Sequence, residues 1–229
     1  MGLRMLMCIA DVLTAAEVAR TVAQLGKVQF VDGKLTAGWH AKLVKHNLQA
    51  QIGTSGTVAQ LQEHVHQALQ QHPLFDMAVR PKLVRPVLFS RYEPGMSYGT
   101  HVDNAVMDDG DQRMRSDVSL TLFLSDPATY AGGELVIEST HGEQAFKLPA
   151  GAMVVYPSST LHRVEPVTQG VRLAAVTWVQ SLVREPADRE ILFDLDTARK
   201  AVFDQYGKTP EFDLLSKSLA NLLRKWVDV

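Results

Sequence analysis

Apolar residues recur along this chain in two rhythms, and the changes between them divide it into three zones. Near the start, Val18, Val22 and Leu25 fall at the spacing of one helix face. Thr14 and Glu17 precede them as Thr-x-x-Glu, in which a hydroxyl and a carboxylate each satisfy a free N–H at a helix start, and Gly26 follows as a stop. A helix from about Thr14 to Gly26 is predicted. Val58, Leu61, Val65 and Leu69 repeat the rhythm and predict a second helix, capped by Thr57 and ended at His72-Pro73, because the residue before a proline is steered out of the helical region. The apolar opening through Ala10 reads as a buried strand. Residues 28–51, with turn signals at Asp32-Gly33 and Gly38, read as strands or irregular structure.

From Lys82 the period drops to two. Short runs rich in Val, Leu, Phe and Thr occupy 82–92, 117–124, 134–138, 144–148, 152–156, 161–167 and 171–182. Between them lie turn residues such as Pro94-Gly95, Gly132-Gly133, His141-Gly142, Pro149-Ala-Gly151 and Gln169-Gly170. Strands this short, joined by hairpins, predict an antiparallel sandwich or barrel. Within that class a double-sheet jelly roll is preferred, since small ligands and metals are often housed between its sheets. After Glu185 the helical rhythm returns: Pro186 suits a first helical position and Gly207 a stop, and Thr209-Pro210-Glu211 opens a further helix carrying Leu215, Leu219, Leu222 and Trp226. The expected fold class is α+β, a double-stranded β-helix (jelly roll) with N-terminal helices packed on it and a C-terminal helical extension. Its expected division is 1–81 as an N-terminal α/β support region, 82–182 as the jelly-roll core and 183–229 as the extension.

Composition narrows the function classes. Hydrophobic residues make up 46% and charged residues 21% of 229 positions, which leaves no room for disorder or a fibrous repeat. Twenty-three Lys+Arg against twenty-five Asp+Glu give a net charge of -2, so no electrostatic footprint for nucleic acid or anionic membrane is expected. Cys8 is the single cysteine, which excludes an internal disulfide and a cysteine-based zinc knuckle and fits a reducing compartment. Asp11 and Glu17 interrupt the apolar start before signal length, and no window approaches the roughly 20 apolar residues of a membrane span. A cytoplasmic protein is expected.

Three clusters carry candidate chemistry. In His101-Val-Asp103, residues i and i+2 of an extended chain aim an imidazole and a carboxylate at one point, as two metal ligands would be. His162, on a late strand, supplies the third member of a two-His, one-carboxylate facial set, which suits non-haem Fe(II) and leaves coordination positions open. A histidine satisfied by its surroundings is the other reading. Arg172 stands among Val171, Leu173, Ala174 and Ala175, and a permanent charge in so apolar a strand needs either an internal carboxylate or an anionic ligand. His64 and His66 face different sides of a predicted helix, and His40, His46, His72 and His141 stand apart; none is assigned chemistry.

The order of these signatures is more specific than any one of them. Arg91-Tyr-Glu-Pro-Gly95, His101-Val-Asp103, Gly132-Gly-Glu134, Leu148-Pro-x-Gly151, Pro157, His162-x-Val-x-Pro166 and Gly170-Val-Arg172 follow one another inside the all-β stretch. This resembles the Fe(II)/2-oxoglutarate dioxygenases of the prolyl 4-hydroxylase type, and more closely the PKHD-type hydroxylases. The resemblance covers about residues 82–182, and the tail after 185 looks like the extension of that subfamily. It implies His101, Asp103 and His162 as iron ligands, Arg172 as the partner of the distal carboxylate of 2-oxoglutarate, and Tyr92 as a hydrogen-bond donor to the same cosubstrate. It implies O2 as co-reactant, with succinate and CO2 as coproducts and L-ascorbate (vitamin C) as an auxiliary. Asn104 is either a contact beside the metal or a turn residue. The polar segment 104–115 is either a substrate-contacting lid or a solvated connection.

The implied activity is hydroxylation of a peptidyl or small-molecule substrate, and the Leu-rich tail offers a surface for a homo-oligomer. A non-catalytic metal- or small-molecule-binding jelly roll is the competing reading, with Arg172 against it, because metal binding alone requires no carboxylate clamp. Nucleic-acid repair relatives on this fold carry a second arginine six residues after the first, where this chain has Trp178.

Overall fold

The computed structural model describes residues 6–51, 56–109, 112–139 and 142–229. Two antiparallel sheets face one another. The larger has the strand order β1 (Met7–Ile9), β14 (Met153–Pro157), β10 (Val118–Phe123), β17 (Arg172–Ser181), β6 (Leu88–Tyr92), β4 (Leu48–Ala50) and β2 (Phe30–Asp32), with β5 (Pro81–Val84) also paired to β17. The smaller runs β13 (Gly142–Phe146), β12 (Leu135–Ser139), β15 (His162–Val164), β7 (Ser97–His101) and β3 (Lys45–His46). Two ribbons complete the β structure, β8 (Val106–Asp109) with β9 (Gln112–Arg115), and β11 (Ala131–Gly132) with β16 (Val167–Gln169).

Period-two alternation assigns the faces of the larger sheet. On β10, Val118, Leu120 and Leu122 turn toward the helices, and on β14 so do Met153 and Val155. Val154, Tyr156 and Phe123 turn the other way, into the space between the sheets, with Tyr92 of β6 and Leu135 and Ile137 of β12. The helix side is the larger core. There α1 (Ala15–Leu25) buries Val18 and Leu25, α2 (Thr57–Gln71) buries Val58, Leu61, Val65 and Leu69, and α3 (Pro73–Val79) buries Phe75. After β17 come α4 (Pro186–Tyr206) and α5 (Pro210–Trp226), which pack on each other around Leu192, Leu219 and Val183. No helix among the described residues is long and apolar enough to cross a membrane.

The capping box at Thr14 and Glu17 is present, and both tail helices start at their prolines. Several expectations are corrected. Gly56, in a left-handed conformation, caps α2 in place of Thr57, whose position is the first of the helix. Pro73 ends α2 but also occupies the first turn of α3, a helix that the proline signal concealed. The runs 82–92 and 161–167 each split, at Pro86 and Pro166, because proline has no N–H for a ladder. Within segment 104–115, read as a lid or a solvated connection, the described residues form two paired strands: Val106 pairs with Arg115 and Met107 with Met114. The sequence signals strand β7 only as a strand end before His101-Val-Asp103, and its extent is missed because Ser97-Tyr-Gly-Thr-His101 has no apolar alternation. Residues 1–5, within the apolar opening, and His141 of the hairpin turn lie outside the described residues.

Candidate active site

The site lies between the two sheets, in a cavity of about 450 Å³. Strands β15 and β7 are neighbours in the smaller sheet, with His162 directly opposite His101. Asp103 follows two residues after the end of β7, where the chain has left the strand. One ligand atom from each of His101, Asp103 and His162 can be chosen so that all lie within 4.8 Å of one another. Both histidines are buried, their rings 4.3 Å apart between centroids, and Nε2 of His162 is 3.8 Å from Oδ2 of Asp103.

Each imidazole is oriented in the same way. Nδ1 of His101 lies 2.8 Å from the carbonyl of Gly99, and Nδ1 of His162 lies 3.0 Å from that of Thr160. A carbonyl has no proton to give, so Nδ1 carries the hydrogen and the lone pair of Nε2 remains free, the arrangement a metal requires. Desolvation, then the neighbouring His162, pulls the His101 imidazolium down to about 4, which keeps this ring neutral. Tyr98 stacks on His101 at 3.6 Å between centroids, and Tyr156 meets His162 edge-on at 5.0 Å.

The carboxylate is held from the opposite sheet. Ser119 Oγ donates to Asp103 Oδ2 at 2.5 Å and lies 2.9 Å from the hydroxyl of Ser158. The alternating run Val118-Ser-Leu-Thr-Leu122, apolar toward the helices and polar toward the cavity, was the available sequence signal for Ser119. Nothing local pointed to Ser158.

Arg172 opens β17 on the cavity side of the larger sheet, directly opposite Tyr92 of β6. It is 1% exposed, with its guanidinium carbon 5.1 Å from the ring centre of Tyr92 and 5.4 Å from that of Phe123. Among the described residues its Nε and Nη2 make no well-formed hydrogen bond, and the Tyr130 hydroxyl, a polar neighbour of the guanidinium, makes none either. Burial raises the Tyr92 phenol above its ordinary range, with Arg172 opposing, so Tyr92 stays protonated as a donor. An internal salt bridge, the alternative the sequence left open for Arg172, is absent among the described residues. Trp178 lies on the same strand and lines the same cavity, as does Asn104, whose side chain approaches Gly38. Lys45, from the N-terminal region, also lines it, and desolvation pulls its ammonium down to about 8 against the attraction of Asp103.

These residues fit the groups expected of them. A His/Asp/His set without thiolate suits Fe(II), and a buried guanidinium with Nε and Nη2 free of well-formed hydrogen bonds suits a carboxylate ligand. The comparisons agree with this class. Residues 87–180 match the family model described as the 2OG-Fe(II) oxygenase superfamily, and 187–228 match the PKHD-type hydroxylase C-terminal domain. A PKHD-type hydroxylase of a Synechococcus strain is 57% identical over 225 residues, covering 98% of this chain and 100% of that protein. Another, from Gloeothece citriformis, is 58% identical over 224 residues, again 98% and 100%. Among solved structures, a Pseudomonas putida prolyl-4-hydroxylase matches with a TM-score of 0.51 at 22% identity, over 77% of this chain and 92% of that one. A Trichoplax adhaerens prolyl hydroxylase, in complex with a hypoxia inducible factor oxygen degradation domain peptide fragment, gives 0.54 at 13%, over 78% and 84%. These two likenesses establish the jelly-roll fold.

The chain belongs to the PKHD-type hydroxylases, within the 2OG-Fe(II) oxygenase superfamily. It is a dioxygenase that uses Fe(II), 2-oxoglutarate and O2 to hydroxylate a substrate, with succinate and CO2 as coproducts.

Proposed function

We propose that His101, Asp103 and His162 hold the Fe(II) and that Arg172 receives the distal carboxylate of 2-oxoglutarate, with Tyr92 beside it. The observation that carries this reading is the unpaired guanidinium in the same cavity as the three converging ligands. An ion buried to this degree is unfavourable without a counter-charge, and a dicarboxylate supplies one. When bound, iron with 2-oxoglutarate and O2 supplies the oxidising chemistry that places a hydroxyl on a C–H bond of the substrate. The protein positions and shields this centre. Gly99 and Thr160 orient the two imidazoles, Ser119 holds Asp103, and Tyr98 and Tyr156 wall off the rings. No general base is required of the side chains.

The substrate is peptidyl or a small molecule. Ascorbate is the auxiliary reductant, the cytoplasm is the location, and α5 offers a surface for self-association. The functional division is 1–81 as support, 82–182 as the oxygenase core and 183–229 as the extension. In its favour, the tail helices have their own small apolar cluster. The support region shares its core with the larger sheet, so it is a buttress to the jelly roll and not a separate body.

The test is anaerobic titration of apo-protein with Fe(II) and then 2-oxoglutarate, followed in the visible region for the band of a chelated 2-oxo acid, then O2 and a succinate assay. Band and succinate are expected together and both vanish in His162→Ala. A band that persists in that variant would refute the ligand set.

A further inference from the structure

The segment from Lys45 to Ala50 crosses from one sheet to the other: Lys45 and His46 form β3 at the edge of the smaller sheet, and Leu48–Ala50 form β4 in the larger. Along it burial alternates. Lys45, Asn47 and Gln49 are 5%, 2% and 4% exposed, whereas His46 is exposed and Leu48 and Ala50 are half-buried. An extended segment whose buried row reads lysine, amide, amide is not built to fill an apolar core, because each of those groups needs a partner once water is removed.

The partners are incomplete. Lys45 Nζ donates to Thr36 Oγ1 at 3.1 Å, and Thr36 Oγ1 donates to Gln49 Oε1 at 2.5 Å. Lys45 makes no ion pair with a carboxylate of the described residues, and Nδ2 and Oδ1 of Asn47 make no well-formed hydrogen bond among them, the Tyr92 hydroxyl being a polar neighbour of the amide. All three side chains line the cavity that also holds His101, Asp103, His162 and Arg172. Lys45 Nζ stands 5.0 Å from the ring centre of Tyr98, the ring stacked on His101. The two buried cations thus enter from different walls, Arg172 from the larger sheet and Lys45 from the edge of the smaller.

We propose that Lys45 and Asn47 recognise a carboxylate of the primary substrate, so that the substrate is a carboxylate-bearing molecule. This rests on the reading above, which gives Arg172 to the cosubstrate. Divalent iron and Arg172 together offset Asp103 and the two carboxylates of 2-oxoglutarate, which leaves Lys45, drawn only at longer range by Asp103 and Asp32, as the buried cavity cation without a paired counter-charge among the described residues. A substrate carboxylate supplies that charge, accepts from the ammonium and from Asn47 Nδ2, and places the rest of the molecule beside the metal ligands. The recognition elements come from outside residues 87–180, so the oxygenase core does not by itself define the substrate.

The experiment uses the full chain loaded with Fe(II) and 2-oxoglutarate, with two matched probe sets: the protein L-amino acids and their N-acetyl derivatives with free carboxylates, and the corresponding carboxamides. At least one acid is expected to stimulate succinate formation, with its carboxamide at least ~10-fold less effective, the factor that a charge-assisted hydrogen bond carries. In Lys45→Met the KM for that acid rises at least ~10-fold, while the dissociation constant of 2-oxoglutarate, read anaerobically from the visible band, stays within about twofold of wild type, well inside the expected loss. Lys45→Arg recovers part of the loss, which a merely structural role would not produce. Should Lys45→Met fail to fold, Asn47→Asp replaces it: a near-isosteric negative charge beside the ammonium abolishes stimulation by the acid. Acids and carboxamides acting alike, acids without effect, or 2-oxoglutarate weakened as much as the acid would each overturn the assignment. An absent band in the wild type would overturn the cosubstrate reading beneath it, whereas a normal band without acid selectivity overturns the substrate assignment alone.

Discussion

A guanidinium that is 1% exposed with two nitrogens unbonded destabilises a fold until something fills the gap, and at Arg172 this gives a signature that an internal salt bridge would not. Arg172→Met should leave the melting temperature of the apo-protein unchanged or raise it, because no ion-pair partner among the described residues is orphaned. The same change should weaken 2-oxoglutarate at least ~10-fold by anaerobic titration. A large drop in apo stability would mean that the arginine has an internal partner. Ser119 tests the other side of the cavity. Its hydroxyl is the bond that fixes Asp103 from the opposite sheet, so Ser119→Ala should lower metal affinity by about 10- to 100-fold with the fold retained, as measured by Fe(II) titration. Of these residues, Arg172, His101, Asp103 and His162 were legible in the chain because their chemistry is out of place among apolar neighbours or recurs in a spaced order. Ser119 was legible only as a polar residue in an alternating strand, and Lys45 not at all, since a lysine in a polar segment gives no sign that it will be buried.

At the scale of elements, turn chemistry decides whether the site is shaped correctly. Gly133 has φ +69°, and a Cβ there would lie 2.9 Å from Val167 Cγ2 and 3.0 Å from Arg172 Cδ. Gly133→Ala therefore combines a left-handed backbone with a push on the arginine; a loss of about 1–3 kcal/mol by urea denaturation is expected, together with weaker 2-oxoglutarate binding. A purely local cost would leave that binding untouched. The helix start at Thr14 is a simpler case. Thr14→Ala should cost about 1 kcal/mol. The Thr14 hydrogen bonds hold the Glu17 carboxyl below its ordinary range, so the part of the cap's contribution that depends on the carboxylate is complete above the ordinary glutamate pKa and is lost as pH falls through the lowered one, while the Glu17 N–H bond to Thr14 Oγ1 persists. A pH titration of the stability difference between the two proteins checks it. Elements with strong periodicity or paired caps were read correctly from sequence, whereas strands broken by Pro86 and Pro166, the helix begun by Pro73 and the non-alternating β7 were not, because proline and mixed-polarity segments take their role from the neighbours they pair with.

Across the whole molecule, the oxygenase sheets and the tail have separate apolar clusters, which predicts separable stability. Leu192 is 0% exposed at the centre of the tail cluster, and Leu192→Ala should cost about 2–5 kcal/mol. Hydrogen exchange should quicken in α4 and α5 ahead of β10 and β17, with 2-oxoglutarate affinity retained. Equal acceleration in the sheets would show that the tail and the jelly roll unfold as one unit. By itself the sequence determined the fold class, the two helical flanks, and the identity and order of the candidate ligands and of the arginine, because periodicity and residue chemistry are properties of the chain. Only the tertiary structure decided that His162 stands opposite His101, that Asp103 is gripped from the facing sheet, that Arg172 has no ion-pair partner among the described residues, and that residues 45–49 turn a polar row into the cavity. Each of those is a relation between segments distant in sequence, set by strand register and by which sheet a strand joins. Burial and missing partners exist only once the two sheets have closed on each other.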